Sequence, residues 1–335
     1  MSKYLRQYWP GAPTKTEKDL PDLHGRVFIV TGGTGGIGQA VATALFHANA
    51  SRVYILGRSD SAGKDAINII TNSDPPGDMK RRTADGGDEA IKFLYLDLSD
   101  LQTIKPTAEA FLSAETRLDV LWHNAGVMAP PEGSVSKQGH ELSFATNVLG
   151  PFLLQHFLTP ILLQTAKNND TVVTRGSVRT CWAASVEFPD PPGEDGILWD
   201  DWELKSPQFS GLNGRVQRYV QSKWANAILA SEMAKRYPQL VSVSFNPGAI
   251  RTDLTRHAPG ILKKVQGFLS YPVRFGALTE LQAGFGSEVA ERNGCYLIPW
   301  GKIGKMIPKV AEGIEKGGSG ERLWNLCDGL VKEFY

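Results

Sequence analysis

Cysteine is scarce in this chain: three residues among 335, Cys181, Cys295 and Cys327. They are odd in number, far apart and in no CxxC spacing. That excludes a disulfide framework and a cysteine-based metal site, and it suits a reducing compartment. A dominant charge sign is missing as well, since 36 Lys and Arg offset 35 Asp and Glu to leave a formal +1. Such a balance gives no long-range field to draw the chain to nucleic acid or an anionic membrane. Runs of about 18 apolar residues are absent, and "MSKYLRQYWPGAPTKTEKDLPDLHG" at the start has no apolar signal-peptide core. The expectation is a cytoplasmic protein with no bound metal, no nucleic-acid partner and no membrane association. There is also no repeat, no low-complexity segment and no linker that would split the chain.

What is present is globular composition, 41% hydrophobic and 21% charged residues, in a length that suits one large α/β domain. Residues 1–24 are polar and rich in Pro and Lys, and read as an arm; residues 25–335 read as the domain. Within it, short β-branched runs alternate with helical stretches. "RVFIVT", "SRVYILG", "IKFLYLD", "LDVLWHNAG", "DTVVTRGS" and "LVSVSFNPG" read as six strands. Helices fall at about 37–48, 61–71, 100–114, 138–166 and 215–236. The alternation predicts βαβ units, so the fold class is α/β: a doubly wound, mostly parallel sheet with helices on both faces.

"TGGTGGIG", residues 31–38, lies between the first strand and the first helix. Without Cβ atoms, Gly32 and Gly36 allow a tight turn and close approach of a diphosphate, while Gly38 allows the helix to pack closely on the strand. The helix N-terminus would face the phosphates. At the end of the second strand, where an acid holds the ribose of NAD, stands "LGRSD". Arg58 suits the 2′-phosphate of NADP, so NADP(H) is the expected cofactor; Asp60, two residues on, keeps NAD(H) as the rival. Asp97, after the third strand, could accept from adenine, and a helix N-cap explains "DLSD" equally well. Asn124–Gly126 ("NAG") ends the fourth strand, at the edge where open parallel sheets bind ligands.

"RYVQSKWANAILASEMAKRY" reads as an amphipathic helix with Tyr219 and Lys223 one turn apart on one face. Alone, that pair is as well explained by two neighbouring surface residues. Together with "TGGTGGIG", "NAG" and "RGS", in this order and placement, "YVQSK" resembles the short-chain dehydrogenases/reductases. The likeness runs over nearly the whole chain from about Leu23. "PDLHGRVFIVTGG" and "NGCYLIPWGK…ERLWNLCDGLVKEF" look like a filamentous-fungal branch similar to retinol-dehydrogenase-like and carbonyl reductases. The resemblance implies a single-domain Rossmann fold and a carbonyl–alcohol oxidoreductase. Tyr219 and Lys223 match the family's YxxxK, Ser177 its strand-end serine, and Asn147 in "FATNVLGPF" its helix asparagine. It implies that Tyr219 is the general acid or base, that Lys223 lowers its pKa and binds the nicotinamide ribose, that Ser177 polarises the carbonyl, and that Asn147 holds a relay water. Thr252 in "NPGAIRT" would meet the nicotinamide carboxamide. Thr34, Ile37, Leu98, Ala125, Pro247, Gly248 and Ile250 fall at further cofactor-contacting positions.

Three departures stand out. Gly35 replaces a serine frequent in relatives that bind NADP. His123 stands where many relatives have Asn, and reads as a packed or capping residue. Ser177 and Tyr219 are 42 positions apart, where the family has about a dozen, so 178–218 reads as an aromatic insertion shaping the substrate pocket. Residues 253–275 fall at the family's substrate lid and carry an apolar helical face, for which a membrane-surface helix is the rival reading. Both features imply a bulky, hydrophobic carbonyl or alcohol substrate, plausibly in secondary metabolism. The rivals are an NAD-linked alcohol dehydrogenase and a cofactor-binding sensor or cyclase without net redox turnover. The resemblance leaves homodimer and monomer open.

Overall fold

The first strand, β1 (Val27–Thr31), is a run of five buried residues, as a strand covered on both faces should be. In the computed structural model, which describes residue 7 and residues 9–80, 87–168, 176–185, 190–252 and 270–335, it sits in the middle of an eight-stranded sheet. The strands are β1, β2 (Arg52–Gly57), β3 (Ile91–Tyr95), β4 (Val120–His123), β5 (Arg179–Ala183), β6 (Val241–Phe245), β7 (Tyr296–Ile298) and β8 (Lys302–Ile303). Their order is 3-2-1-4-5-6-7-8, parallel throughout except for the final β7–β8 pair. The order reverses between β1 and β4, which opens a crevice at the carboxyl ends of those strands.

Helices cover both faces. One apolar core joins α1 (Gly36–His47), α2 (Asp60–Asn72) and α6 (Val273–Phe285) to the sheet through Phe28, Val30, Trp122, Cys181 and Leu281. The other joins α3 (Ile104–Ala114), α4 (Gly150–Lys167), α5 (Gly211–Arg236), α7 (Pro308–Glu315) and α8 (Ser319–Val331). Helix α4 continues a helical turn at Leu142–Phe144 and a π-turn at Ala145–Leu149. The span Leu142–Lys167 is long and apolar enough to cross a membrane, but 78% of its apolar window is buried inside the protein. That is the signature of a core helix.

The fold class agrees with the expectation, and two boundaries differ. The expected fifth strand, 170–177, falls mostly outside the described residues; the strand that pairs with β4 and β6 is Arg179–Ala183. "RTCWA" has little β-branched character, but its environment explains it. Arg179 is 4% exposed and donates to the carbonyls of Gly176, Ala283 and Gly286, so its charge serves as a clamp at the base of the sheet. Cys181 and Trp182 face opposite cores. Residues 178–218 are therefore not all insertion, since they begin with a central strand. The extra segment starts after Ser185, and 186–189 lie outside the described residues, as do 253–269 of the expected lid. Of that lid, Val273 onward already belongs to α6.

Candidate active site

The carboxyl ends of β1, β4 and β5 meet the middle of α5, and the side chains there are packed as a unit. Tyr219 is 8% exposed, Lys223 4% and Asn147 fully buried. Lys223 Nζ donates to the Ala183 carbonyl at 3.1 Å and lies 5.9 Å from the centre of the Tyr219 ring. Gly126 makes this convergence possible. A Cβ there would stand 3.0 Å from Asn147 Oδ1 and 3.2 Å from Lys223 Nζ, so a side chain would crowd both groups.

Ser177 is not among them. It precedes β5, and the strand carries the chain roughly 13 Å onward, at about 3.3 Å per residue, before the carboxyl edge is reached. The serine at that edge is Ser185, whose side chain stands close enough to the Tyr219 phenol to pull its pKa downward. Its carbonyl accepts from Tyr296 Oη at 2.7 Å, which fixes the turn. The correction has a physical cause. "VVT" at 172–174 has the β-branched character of a strand, and buried Arg179 looks like a loop residue. Ser185 could have been found by aligning "RTCWA" with "VLWH", its partner in the sheet.

Asn147 also carries a structural task. Its Oδ1 accepts from Val127 N at 2.8 Å, and its Nδ2 donates to Val127 O at 3.0 Å and Ser222 Oγ at 2.9 Å. The amide ties the turn after β4 to α5 with both Nδ2 hydrogens and one lone pair of Oδ1, and keeps the second lone pair. It does so from within the π-turn, a deformation that recurs at functional sites.

Electrostatics differ from expectation in one respect. Burial pushes the Tyr219 phenol upward, opposed by the Ser185 side chain beside it; a downward pull from Lys223 is not among the causes. Burial draws Lys223 down to about 8, and the carboxylate of Glu280 opposes that. Glu280 is itself fully buried and pushed up by burial, with Lys223 pulling the other way. Neither Lys223 nor Glu280 stood out as a coupled pair from sequence, because the two helices carrying them lie on opposite faces of the sheet. His123 has the packed role expected of it. Its ring is 1% exposed, lies 4.1 Å from the Trp182 ring and meets Gln155 Oε1 at 3.0 Å, and burial lowers its pKa to about 4.

The glycine loop has the shape a diphosphate requires. Gly32 and Gly36 take left-handed φ values of 68° and 55°. A Cβ on Gly38 would meet the Gly32 carbonyl at 2.7 Å and Asn124 Nδ2 at 2.6 Å, so only glycine allows α1 to start there. Asn124 Nδ2 donates to Thr31 O, and Ala125 N to Thr31 Oγ1, which ties the turn after β4 to the end of β1. Thr252 comes within 3.7 Å of the position a Gly36 Cβ would take, so the turn after β6 closes over the loop. Ile37 packs beside Ile250 around Gly276. Thr34 lies against Gly57, immediately before exposed Arg58. Ser59 caps α2 by accepting from Ala62 N, which makes Asp60 the first helical residue. Asp97 Oδ1 accepts from Ser99 N and Ser99 Oγ, while the nearby N-cap is Asp100. Leu98 packs on Gly150, and Pro247 and Gly248 follow β6. Among the described residues no group of three or more His, Cys, Asp or Glu is arranged to hold a metal.

The described part of the insertion, 190–210, grips α5. Leu198 N donates to Gln221 Oε1 at 2.9 Å, Gln221 Nε2 to Trp202 O at 2.6 Å and Arg218 to Leu204 O at 2.8 Å. Ile197 and Leu204 are fully buried beneath it. These contacts flank Tyr219 on both sides in sequence and hold its helix turn in place.

Comparison with known proteins agrees with this arrangement. Residues 26–183 match the short chain dehydrogenase family model. A short-chain dehydrogenase/reductase of Armillaria gallica is 37% identical over 333 residues, covering 98% of this chain and 97% of its own. One from Phomopsis amygdali is 37% identical over 343 residues, covering 98% and 96%. Among solved structures, a protein of Mycobacterium Paratuberculosis superposes with a TM-score of 0.65 at 22% identity, over 95% of this chain and 97% of that one. A short chain dehydrogenase of Shigella flexneri, solved with NADP, gives 0.57 at 20% identity, over 83% and 98%. With full-length relatives at this identity and a doubly wound sheet to match, the chain belongs to the short-chain dehydrogenase/reductase family of oxidoreductases.

Proposed function

We propose that the protein reduces a bulky, hydrophobic ketone or aldehyde to an alcohol with NADPH, and catalyses the reverse with NADP. The observation that carries this reading is the placement of Ser185 beside the Tyr219 phenol at the carboxyl edge of β5, with Lys223 one turn along α5.

The hydride, delivered to the carbonyl carbon or removed in oxidation, would be the contribution of a dinucleotide held at the glycine loop. The rest belongs to the chain. Tyr219 gives its phenolic proton to the carbonyl oxygen, and a phenol kept protonated by burial suits that direction. Ser185 donates to the same oxygen as negative charge gathers on it. Lys223 keeps a cation beside the pair at neutral pH and stands near enough to Gly126 to bind a ribose hydroxyl there. Asn147 positions the turn carrying Val127. The N–H groups of the glycine loop and of the first turn of α1 would hold the diphosphate. Asp97 and Leu98 would border the adenine, and Thr252 the carboxamide. Arg58 would take the 2′-phosphate. Asp60, set in the first turn of α2, is already explained by its interaction with the helix dipole, which favours NADP over NAD.

Fungal relatives and an aromatic insertion make a secondary-metabolite carbonyl the favoured substrate class. A sensor or cyclase without redox turnover would have no use for a phenol, hydroxyl and ammonium gathered at one carbonyl position. The test is to follow NADPH and NADH absorbance with a panel of bulky ketones, using wild type and Tyr219→Phe. NADPH-dependent turnover that falls by at least about 100-fold in the variant is expected. Equal turnover by the variant would sink the mechanism.

A further inference from the structure

The turn after β6, residues 246–252, has to hold the nicotinamide end of the site, yet it is not fixed by its own strand alone. Asn246 is 2% exposed. Its backbone N–H donates to Leu297 O, and its Oδ1 accepts from Gly248 N at 2.9 Å, which closes the turn. That leaves the Nδ2 donor, buried where water cannot serve it. Its partner comes from the other end of the chain: Gln7 Oε1 accepts at 2.8 Å, from a side chain itself only 4% exposed.

A second grip lies a few ångströms away. Gly248, at φ 93°, faces Pro299 and Trp300, whose atoms lie 3.2 and 3.5 Å from where a Cβ would stand. Trp300 has φ 67°, a conformation a bulky side chain keeps only where its surroundings over-determine it. The surroundings of Trp300 do so. The indole N–H donates to Gly11 O at 2.7 Å, the backbone N–H to Thr279 Oγ1 at 2.9 Å, and the ring meets Tyr271 edge-on at 5.0 Å. Tyr271 in turn pairs with the far end of the same turn, giving its N–H to Ala249 O and taking the N–H of Arg251. The arm therefore reaches the turn twice, through Gln7 directly and through Gly11 by way of Trp300.

We propose that the N-terminal arm is a working part of the cofactor site, in which Gln7 and Trp300 are positioning residues that hold the 246–252 turn in register for the nicotinamide half of a dinucleotide. The proposal rests on the functional reading above for the identity of the ligand, while the hold on the turn is a property of the ligand-free chain.

Two variants separate these levels. Gln7→Met keeps length and burial and removes the acceptor for Asn246. Trp300→Phe keeps an aromatic ring and removes the donor to Gly11. Backbone amide exchange over 246–252 is measured without ligand, and affinity is measured for NADPH and for adenosine 2′,5′-bisphosphate, which lacks the nicotinamide half. In both variants exchange at Gly248 should quicken about ten-fold. NADPH should bind about ten-fold more weakly, and the bisphosphate within two-fold of wild type. Unchanged exchange, or equal weakening of both ligands, would overturn the proposal. A wild type that binds neither ligand would defeat the functional reading, and the exchange result would still decide whether the arm holds the turn.

Discussion

A hydroxyl polarises a carbonyl only from hydrogen-bond distance, so the serine that works with Tyr219 must stand where the phenol stands. Ser185 stands beside the phenol, and Ser177, on the far side of β5, does not. Ser185→Ala should therefore lower kcat by about 10²–10³-fold, as loss of an oxyanion donor does, while Ser177→Ala should leave steady-state kinetics near wild type. The reverse pattern would restore Ser177 to the site. A second residue-scale consequence concerns acid. His123 binds its proton at about pH 4 in the folded protein against 6.5 in a free side chain. The unfolded chain thus holds more protons between those values, so the stability is fully present above 6.5 and is lost as pH falls towards 4. At about 1.4 kcal/mol per unit this amounts to about 3.5 kcal/mol. Denaturant titrations of wild type and His123→Asn at pH 7 and 5 should show a shallower decline in the variant. The buried carboxylates contribute in common to both proteins, so parallel declines would mean the His123 ring is not the group responsible.

Elements that rely on backbone shape were readable from residue type alone. Gly32, Gly36 and Gly38 sit where only glycine fits, and Tyr219 with Lys223 follows from helical spacing. Elements that rely on distant partners were not readable. β5 exists because Arg179 caps carbonyls from residues 283 and 286 and because Trp182 stacks on His123, and no local pattern announces either. The same holds for the Asn147 amide, whose partners lie 20 and 75 residues away. At the junction of β2 and α2 the structure separates two residues that the sequence left as rivals. Arg58 is exposed at the strand end, whereas Asp60 has entered the helix. Arg58→Ala should weaken NADPH by at least about ten-fold, or 1.4 kcal/mol, and leave NADH nearly unchanged. Equal losses, read by titration with each cofactor, would mean the guanidinium does not meet a 2′-phosphate.

Across the whole molecule, the two long helices are covered by the chain's own C-terminal segment. Leu323, Cys327 and Val331 of α8 are fully buried, and Trp324 packs edge-on against Phe152 of α4 at 4.9 Å with Arg236 of α5 above its ring. The final residue, Tyr335, stacks on His156 at 3.8 Å. Lys235 Nζ donates to Ile314 O, which brings α7 onto the same face. With both long helices covered in this way, a monomer is expected. Light scattering after size exclusion should give 36.6 kDa; a stable mass of twice that would show that another face pairs.

The grip of Gln7 on Asn246 spans 239 positions, and that of Trp300 on Gly11 spans 289. A ribosome releases the arm long before these partners. At about 5–20 residues per second, the arm waits some tens of seconds beside a half-made sheet. The turn after β6 therefore cannot reach its final shape until Trp300 has been made, and α8 reaches the helices it covers later still. Closing such long loops is the slow part of folding. A chain cut short by even its last fifteen residues would leave α4 and α5 with an apolar face uncovered, so messages truncated near their end should yield aggregates rather than weakened enzyme.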